Sequence, residues 1–183
     1  MIKKAINFAN IAHFDQFRKG TDIPYIFHPI NVGKILIENF RCGEDVVVAG
    51  ILHDTLEDTP VKEKDISDIF GENVLQLVKS VSERDKSDTW ENRKKEVIEH
   101  LREAEENTIL IKLADVYDNI TAMQRDYHFI GDELWKRFNA PKERLAWYYW
   151  SLGEIFDERL KQINAKILIR RYKITYSEFL DFL

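Results

Sequence analysis

A run of seven apolar residues, Val46 to Leu52 (VVVAGIL), passes without interruption into His53-Asp54-Thr55-Leu56-Glu57-Asp58. This junction constrains the fold more than any other stretch. A helix that is apolar on every side has no face for water, so it belongs at the centre of a packed structure. It falls far short of the ~20 apolar residues that cross a bilayer, and no membrane association is expected. The ionisable groups at its end are carried to the edge of an interior where an unpaired charge is costly. A cation or a set of polar partners has to meet them.

The remaining chain supplies helices to surround this element. Seven Gly and four Pro in 183 residues are about half the average usage, which favours long uninterrupted elements over turns. Ile2, Ile6, Ala9 and Ala12 recur at helical spacing and predict a helix from about residue 2 to Arg18, broken by Lys19-Gly20-Thr21-Asp22-Ile23-Pro24. A second helix starts near His28-Pro29, where Pro suits the first helical position, and closes at Cys42-Gly43. The central helix is read from Glu44 to near Thr59, stopped by Pro60. Helices over 62–70 and 72–81 flank it. The charged stretch SERDKSDTWENRKK then opens a helix reaching about Leu101, and a largely buried helix covers 106–124. Pro141 opens the last long one. Strand signals are scarce, and KILIRRYKI at 166–174 reads as continued helix. The expectation is an all-α, single-domain bundle over residues 1–183. A net charge of −5 lacks the basic footprint of a duplex-binding protein, so nucleic acid is not an expected partner. The single Cys42 forms no internal disulfide, and a reducing cytoplasm is the expected compartment.

Two further segments carry chemistry. His28 sits in Tyr25-Ile26-Phe27-His28-Pro29, and Asp115 lies in KLADVYDN among the apolar neighbours Leu113, Ala114 and Val116. An unpaired carboxylate is rare in such surroundings. His28, His53, Asp54 and Asp115 together make a mixed nitrogen and oxygen set with room for water. That set suits Mn²⁺ or Fe²⁺ better than a closed structural zinc, for which thiolates are expected.

The ordered H…HD…D pattern resembles the HD-domain metal-dependent phosphohydrolases. Within that superfamily, RKGTDIPYIFHP, AGILHDTLEDT and KLADVYDN, in this order, resemble the hydrolase domain of the RelA/SpoT family and the small alarmone hydrolases, metazoan SpoT homologues among them. Those relatives remove the 3′-pyrophosphate from guanosine tetra- and pentaphosphate. The similarity runs from about residue 8 to 119. The resemblance implies that His28, His53, Asp54 and Asp115 bind one Mn²⁺, with Fe²⁺ or another divalent ion as the alternative. It implies that Glu57 and Asp58 activate water, that Arg18 and Lys19 meet phosphate, and that Asn119 approaches the nucleoside. The implied partner is a small nucleotide, and the implied activity releases pyrophosphate from (p)ppGpp to leave GDP or GTP. The length then leaves no room for a synthetase domain.

Some positions depart from the family pattern. Gly20 stands where a small hydroxyl residue is common, and Val116 where a Lys is common. Two alternatives therefore stay open: hydrolysis of another nucleotide or phosphate ester, and a metal-stabilised helical module that binds an alarmone without chemistry. The intact Glu57–Asp58 pair argues against the second. Asp118 is read as structural and outside the site. His13, His100 and His128 read as surface or internally satisfied, and Trp147 to Trp150 as core packing with some surface spill. Lys86, Arg93 and Lys94 approach a phosphate only if the segment 83–95 folds over the site.

Overall fold

A computed structural model describes residues 1–83, 87–178 and 180 of the chain. Among these it is all-α, and the single-domain helical bundle expected from the sequence is what forms. The order is α1 (Ile2–Ala12), α2 (Phe27–Asn39), α3 (Glu44–Leu52), α4 (Thr55–Asp58), α5 (Glu63–Phe70), α6 (Glu72–Val81), α7 (Trp90–Glu103), α8 (Glu106–Ile130), a 3₁₀ segment (Gly131–Arg137), α9 (Lys142–Arg159) and α10 (Ile163–Ser177). Extended pairing among the described residues is limited to one isolated bridge, Phe17 with Pro24. No described helix is long and apolar enough to cross a membrane.

The apolar run occupies the centre, as its composition requires. Every residue from Val46 to Leu52 is buried, and α3 packs on α1, α2, α6 and α8. Two glycines set how closely α2 and α3 approach. A Cβ on Gly50 would stand 2.4 Å from Leu36 Cδ1, and one on Gly33 would stand 2.7 Å from Ile51 Cγ1. The two helix axes draw together because hydrogen replaces a methyl at both positions. This approach puts the first turn of α2, which carries His28, beside the end of α3, where His53 follows.

Two expected helices are shorter than their periodicity suggests. The first ends at Ala12 and not at Arg18. His13 Nδ1 instead pairs with Gln16 Oε1 at 2.7 Å, and the chain folds into a tight loop in which Arg18 N–H donates to Ile23 O (2.8 Å) and Tyr25 N–H to Gln16 O (2.8 Å). Arg18 and Lys19 thus belong to a loop anchored against the segment before α2. The central helix breaks at His53–Asp54 before the four-residue α4. Thr55 Oγ donates to the Leu52 carbonyl at 2.6 Å, capping an acceptor that the break would leave unpaired. Elsewhere helix stays longer than expected: α8 continues to Ile130, and residues 163–177 form a separate helix after α9. Tyr148 and Tyr149 are buried while Trp150 is exposed, in line with a packing role for the aromatic run.

Candidate metal centre

His28, His53 and Asp115 reach one point from three helices. One ligand atom from each lies within 4.8 Å of the others, and all three residues are buried. The two Nε2 atoms face each other at 3.3 Å. Asp115 Oδ1 lies 3.3 Å from His28 Nε2 and 3.6 Å from His53 Nε2. Asp54 completes the group from the turn after α3, its Oδ2 being 2.9 Å from His53 Nε2 and 3.7 Å from His28 Nε2. The arrangement brings together all four expected ligands.

The outward-facing ring nitrogens decide what the inward-facing ones present. His53 Nδ1 lies 2.9 Å from the Gly50 carbonyl, which can only accept, so Nδ1 carries the hydrogen. His28 Nδ1 lies 2.7 Å from Asp118 Oδ2 and donates to that carboxylate, whose other oxygen accepts from Asn31 Nδ2 at 2.9 Å. In neutral rings both Nε2 atoms therefore present lone pairs, and the two carboxylate oxygens present more. Four acceptors converge, which is the donor set of a divalent cation. A ligating imidazole whose other N–H is fixed by a carbonyl or carboxylate is the usual companion of such a site. Where no cation is bound, a proton does part of its work. Burial opposes charge on His53, but Asp54 and Asp115 outweigh it and hold the imidazolium well above the ordinary histidine range. Burial likewise opposes the two carboxylates, yet His53 holds Asp54 down, and Lys112 with the two histidines holds Asp115 well below the usual range.

Each ligand is held from behind. Asp115 Oδ2 accepts from Lys112 Nζ at 2.8 Å, and its Oδ1 from Asn119 Nδ2 at 2.7 Å. Tyr25 donates a short hydrogen bond to Asp54 Oδ2; burial first, and then the Asp54 charge, push its hydroxyl far above the ordinary tyrosine range. Tyr25 and Lys112 were not singled out in the sequence, and Asp118 was read there as structural and outside the site. Asp118 had a usable signal, since it lies three residues after Asp115 on the same helical face. Tyr25 and Lys112 are themselves residues of PYIFHP and KLAD, the segments that carry His28 and Asp115.

The remaining expected site residues line the approaches. Arg18 Nη2 donates to Asn119 Oδ1 at 2.7 Å and its guanidinium lies 5.8 Å from the Tyr25 ring centre. Asn119 therefore links the basic loop to Asp115. Lys19 is exposed, with Nζ 5.5 Å from the Phe138 ring centre. Glu57 and Asp58 sit on α4, tied to distant segments: Gln16 Nε2 donates to the Asp58 carbonyl at 2.7 Å, and the Glu83 N–H to Glu57 Oε2 at 3.1 Å. Glu83 in turn binds Arg93 at 2.8 Å and Lys94 at shorter range. Glu83, just after α6, thus lies beside Glu57. Lys86 lies outside the described residues.

Comparison with known proteins agrees with this geometry. A family model described as the HD domain matches residues 5–140. The guanosine-3′,5′-bis(diphosphate) 3′-pyrophosphohydrolase of Aquifex aeolicus is 39% identical over 126 residues, which are 67% of this chain and 18% of that protein's length. The Drosophila melanogaster enzyme of the same name, MESH1, is 37% identical over 123 residues, covering 66% of this chain and 68% of its own. The solved structure of a metazoan ortholog of SpoT, described as hydrolysing ppGpp, superposes with a TM-score of 0.76 at 29% identity, covering 97% of this chain and 94% of that one. The chain belongs to the HD-domain family of metal-dependent phosphohydrolases. Its branch within that family is the RelA/SpoT-type hydrolases, on the MESH1-like side.

Proposed function

We propose that this protein is a Mn²⁺-dependent 3′-pyrophosphohydrolase acting on (p)ppGpp. The observation that carries the reading is the placement of four converging acceptors between an acid pair and a basic loop. Asp115 itself connects, through Asn119, to Arg18. His28, His53, Asp54 and Asp115 would hold the ion, which acts as a Lewis acid toward a phosphoryl oxygen and acidifies water. The chain's own groups do the rest. Glu57 and Asp58, at the turn after His53, take the proton from the attacking water and orient it. The water oxygen forms a bond to the phosphorus on the ribose 3′ oxygen, the bond from phosphorus to that oxygen breaks, and pyrophosphate is released. The 3′ oxygen recovers a proton, leaving GDP or GTP. Arg18 and Lys19 meet the nucleotide's anionic groups, and guanidinium can also stack on a purine.

The polyanionic substrate is compatible with a net charge of −5 because the ion and these side chains set the local field, and part of the acidity is that of the ligand set itself. Manganese-reconstituted protein is expected to convert ppGpp to GDP with pyrophosphate as co-product, read by separation of the reaction mixture. Turnover of simple 5′-nucleotides with none of ppGpp would transfer the reading to another nucleotide or phosphate ester.

A further inference from the structure

Two cavities are lined in part by the stretch of α8 that carries Asp115. On the Asn119 side lies one of about 320 Å³, bounded by Arg18, Lys19, Tyr25 and Phe138. On the other side, between α6 and α7, lies a larger one of about 760 Å³, with Ser82, Glu83, Arg93 and Lys112 among its walls. It exists because α7 packs chiefly on α9 and stands off from α6. Lys112 and Asn119 lie three residues before and four after Asp115 on α8, and each holds one oxygen of that carboxylate. Each also lines a different cavity.

Lys112 has capacity to spare. An ammonium carries three donors, and among the described residues only the bond to Asp115 engages one. Its side chain is 13% exposed. Nearby, Arg93 and Lys94 both bind Glu83.

We propose that the α6–α7 cavity is the pyrophosphate side of the site and that Lys112 donates to an oxygen of the transferred pyrophosphoryl group. The nucleoside then occupies the Asn119 side, and the substrate straddles Asp115. This rests on the reading under Proposed function. In the hydrolytic step the oxygen gained from water leaves with pyrophosphate on the Lys112 side. The electron pair of the broken bond stays on the 3′ oxygen, which takes up a proton on the Asn119 side.

The test is calorimetric binding of pyrophosphate and, separately, of GDP to the manganese-loaded protein, with Mn²⁺ in excess, for wild type, Lys112→Met and Lys112→Arg. Lys112→Met is expected to weaken pyrophosphate roughly tenfold or more, the scale of one charge-assisted hydrogen bond. GDP affinity should stay within about twofold, and Mn²⁺ affinity should fall by roughly 10- to 100-fold, the cost of losing a partner behind a ligand, which the excess ion offsets, whereas Lys112→Arg, which keeps the charge, should retain most of the pyrophosphate affinity. If Lys112→Met weakens Mn²⁺ but not pyrophosphate, Lys112 is only a brace for Asp115 and the proposal is overturned. Equal losses for both ligands, or no pyrophosphate binding by wild type, overturn it too. Binding is read without turnover, so failure to hydrolyse ppGpp counts against the proposed activity, while a flat pyrophosphate series counts against this assignment.

Discussion

The metal centre and the acid pair beside it are built in opposite ways. Every ligand at the centre issues from, or directly follows, a helix of the core, and each carries a second tether: Gly50 O for His53, Asp118 for His28, Tyr25 for Asp54, and Lys112 with Asn119 for Asp115. Glu57 and Asp58 sit on a four-residue helix, Asp58 is exposed, and hydrogen bonds tie them across the sequence to Gln16 and Glu83. The difference teaches that the ligand geometry follows from how the core packs, whereas the placement of the acids depends on loops closing around them. Metal affinity and rate should therefore respond to different residues.

The sharpest break comes from the centre. His53→Ala is expected to abolish measurable turnover and to cost more Mn²⁺ affinity than the roughly 10- to 100-fold that a partner behind a ligand costs, as read by calorimetry. Asp58→Asn and Glu57→Gln should lower the rate by about 10²- to 10⁴-fold, the scale of a lost general base, while Mn²⁺ affinity holds within a few-fold. If affinity fell in step with rate, the acids would be part of the ion's own shell and the contrast would collapse.

Asp118→Asn probes the centre more gently. It keeps an acceptor for His28 Nδ1 and removes the charge, so Mn²⁺ affinity should drop about tenfold with the fold intact by melting temperature. Gln16→Ala tests the rim: loss of one neutral hydrogen bond to the Asp58 carbonyl should slow turnover by about fivefold at unchanged Mn²⁺ affinity.

The smallest effect is on pH dependence. The raised His53 value contributes stability that is fully present below its unfolded pKa of about 6.5 and is lost as pH rises through the folded value. The lowered Asp54 and Asp115 values contribute stability present above about 3.9 and lost as pH falls through their folded values. Metal-free protein should thus melt lower as pH climbs past neutrality. Manganese-loaded protein, in which the ion replaces the shared proton, should show a flatter alkaline limb in a calorimetric pH series.

Legibility in the sequence followed the range of the forces involved. The helix at Glu72–Val81 was readable to the residue, because Gly71 and the apolar spacing act locally. The end of α1 was not: periodicity favoured Arg18, but the His13–Gln16 pair and the Phe17–Pro24 bridge turn the chain at Ala12, and the bridge joins residues that periodicity does not compare. The break at His53–Asp54 was equally hidden, since the apolar run and the acids after it look like one helix until Asp54 has to turn toward two histidines. His28, His53, Asp54 and Asp115 were legible because charged groups among apolar neighbours demand compensation. Tyr25 was not, because a phenol between Pro24 and Ile26 demands no partner, whereas Lys112, between Ile111 and Leu113, carried the same kind of signal and Asp118 lies one helical turn after Asp115.

By itself, the junction of VVVAGIL with HDTLED required a buried helix with a polar group at its end, and so an interior site of some kind in an all-helical chain. Hydrophobicity and helix periodicity are properties of neighbouring residues and survive being read in one dimension. Only the tertiary structure decided which nitrogen of each histidine faces inward, that Asp118 and Gly50 fix those choices, and that Lys112 and Asn119 line different cavities. Those outcomes depend on α2 and α3 meeting at Gly33 and Gly50 and on α7 standing away from α6. Contacts of this kind join residues far apart in the chain, and they take effect only once the core has closed.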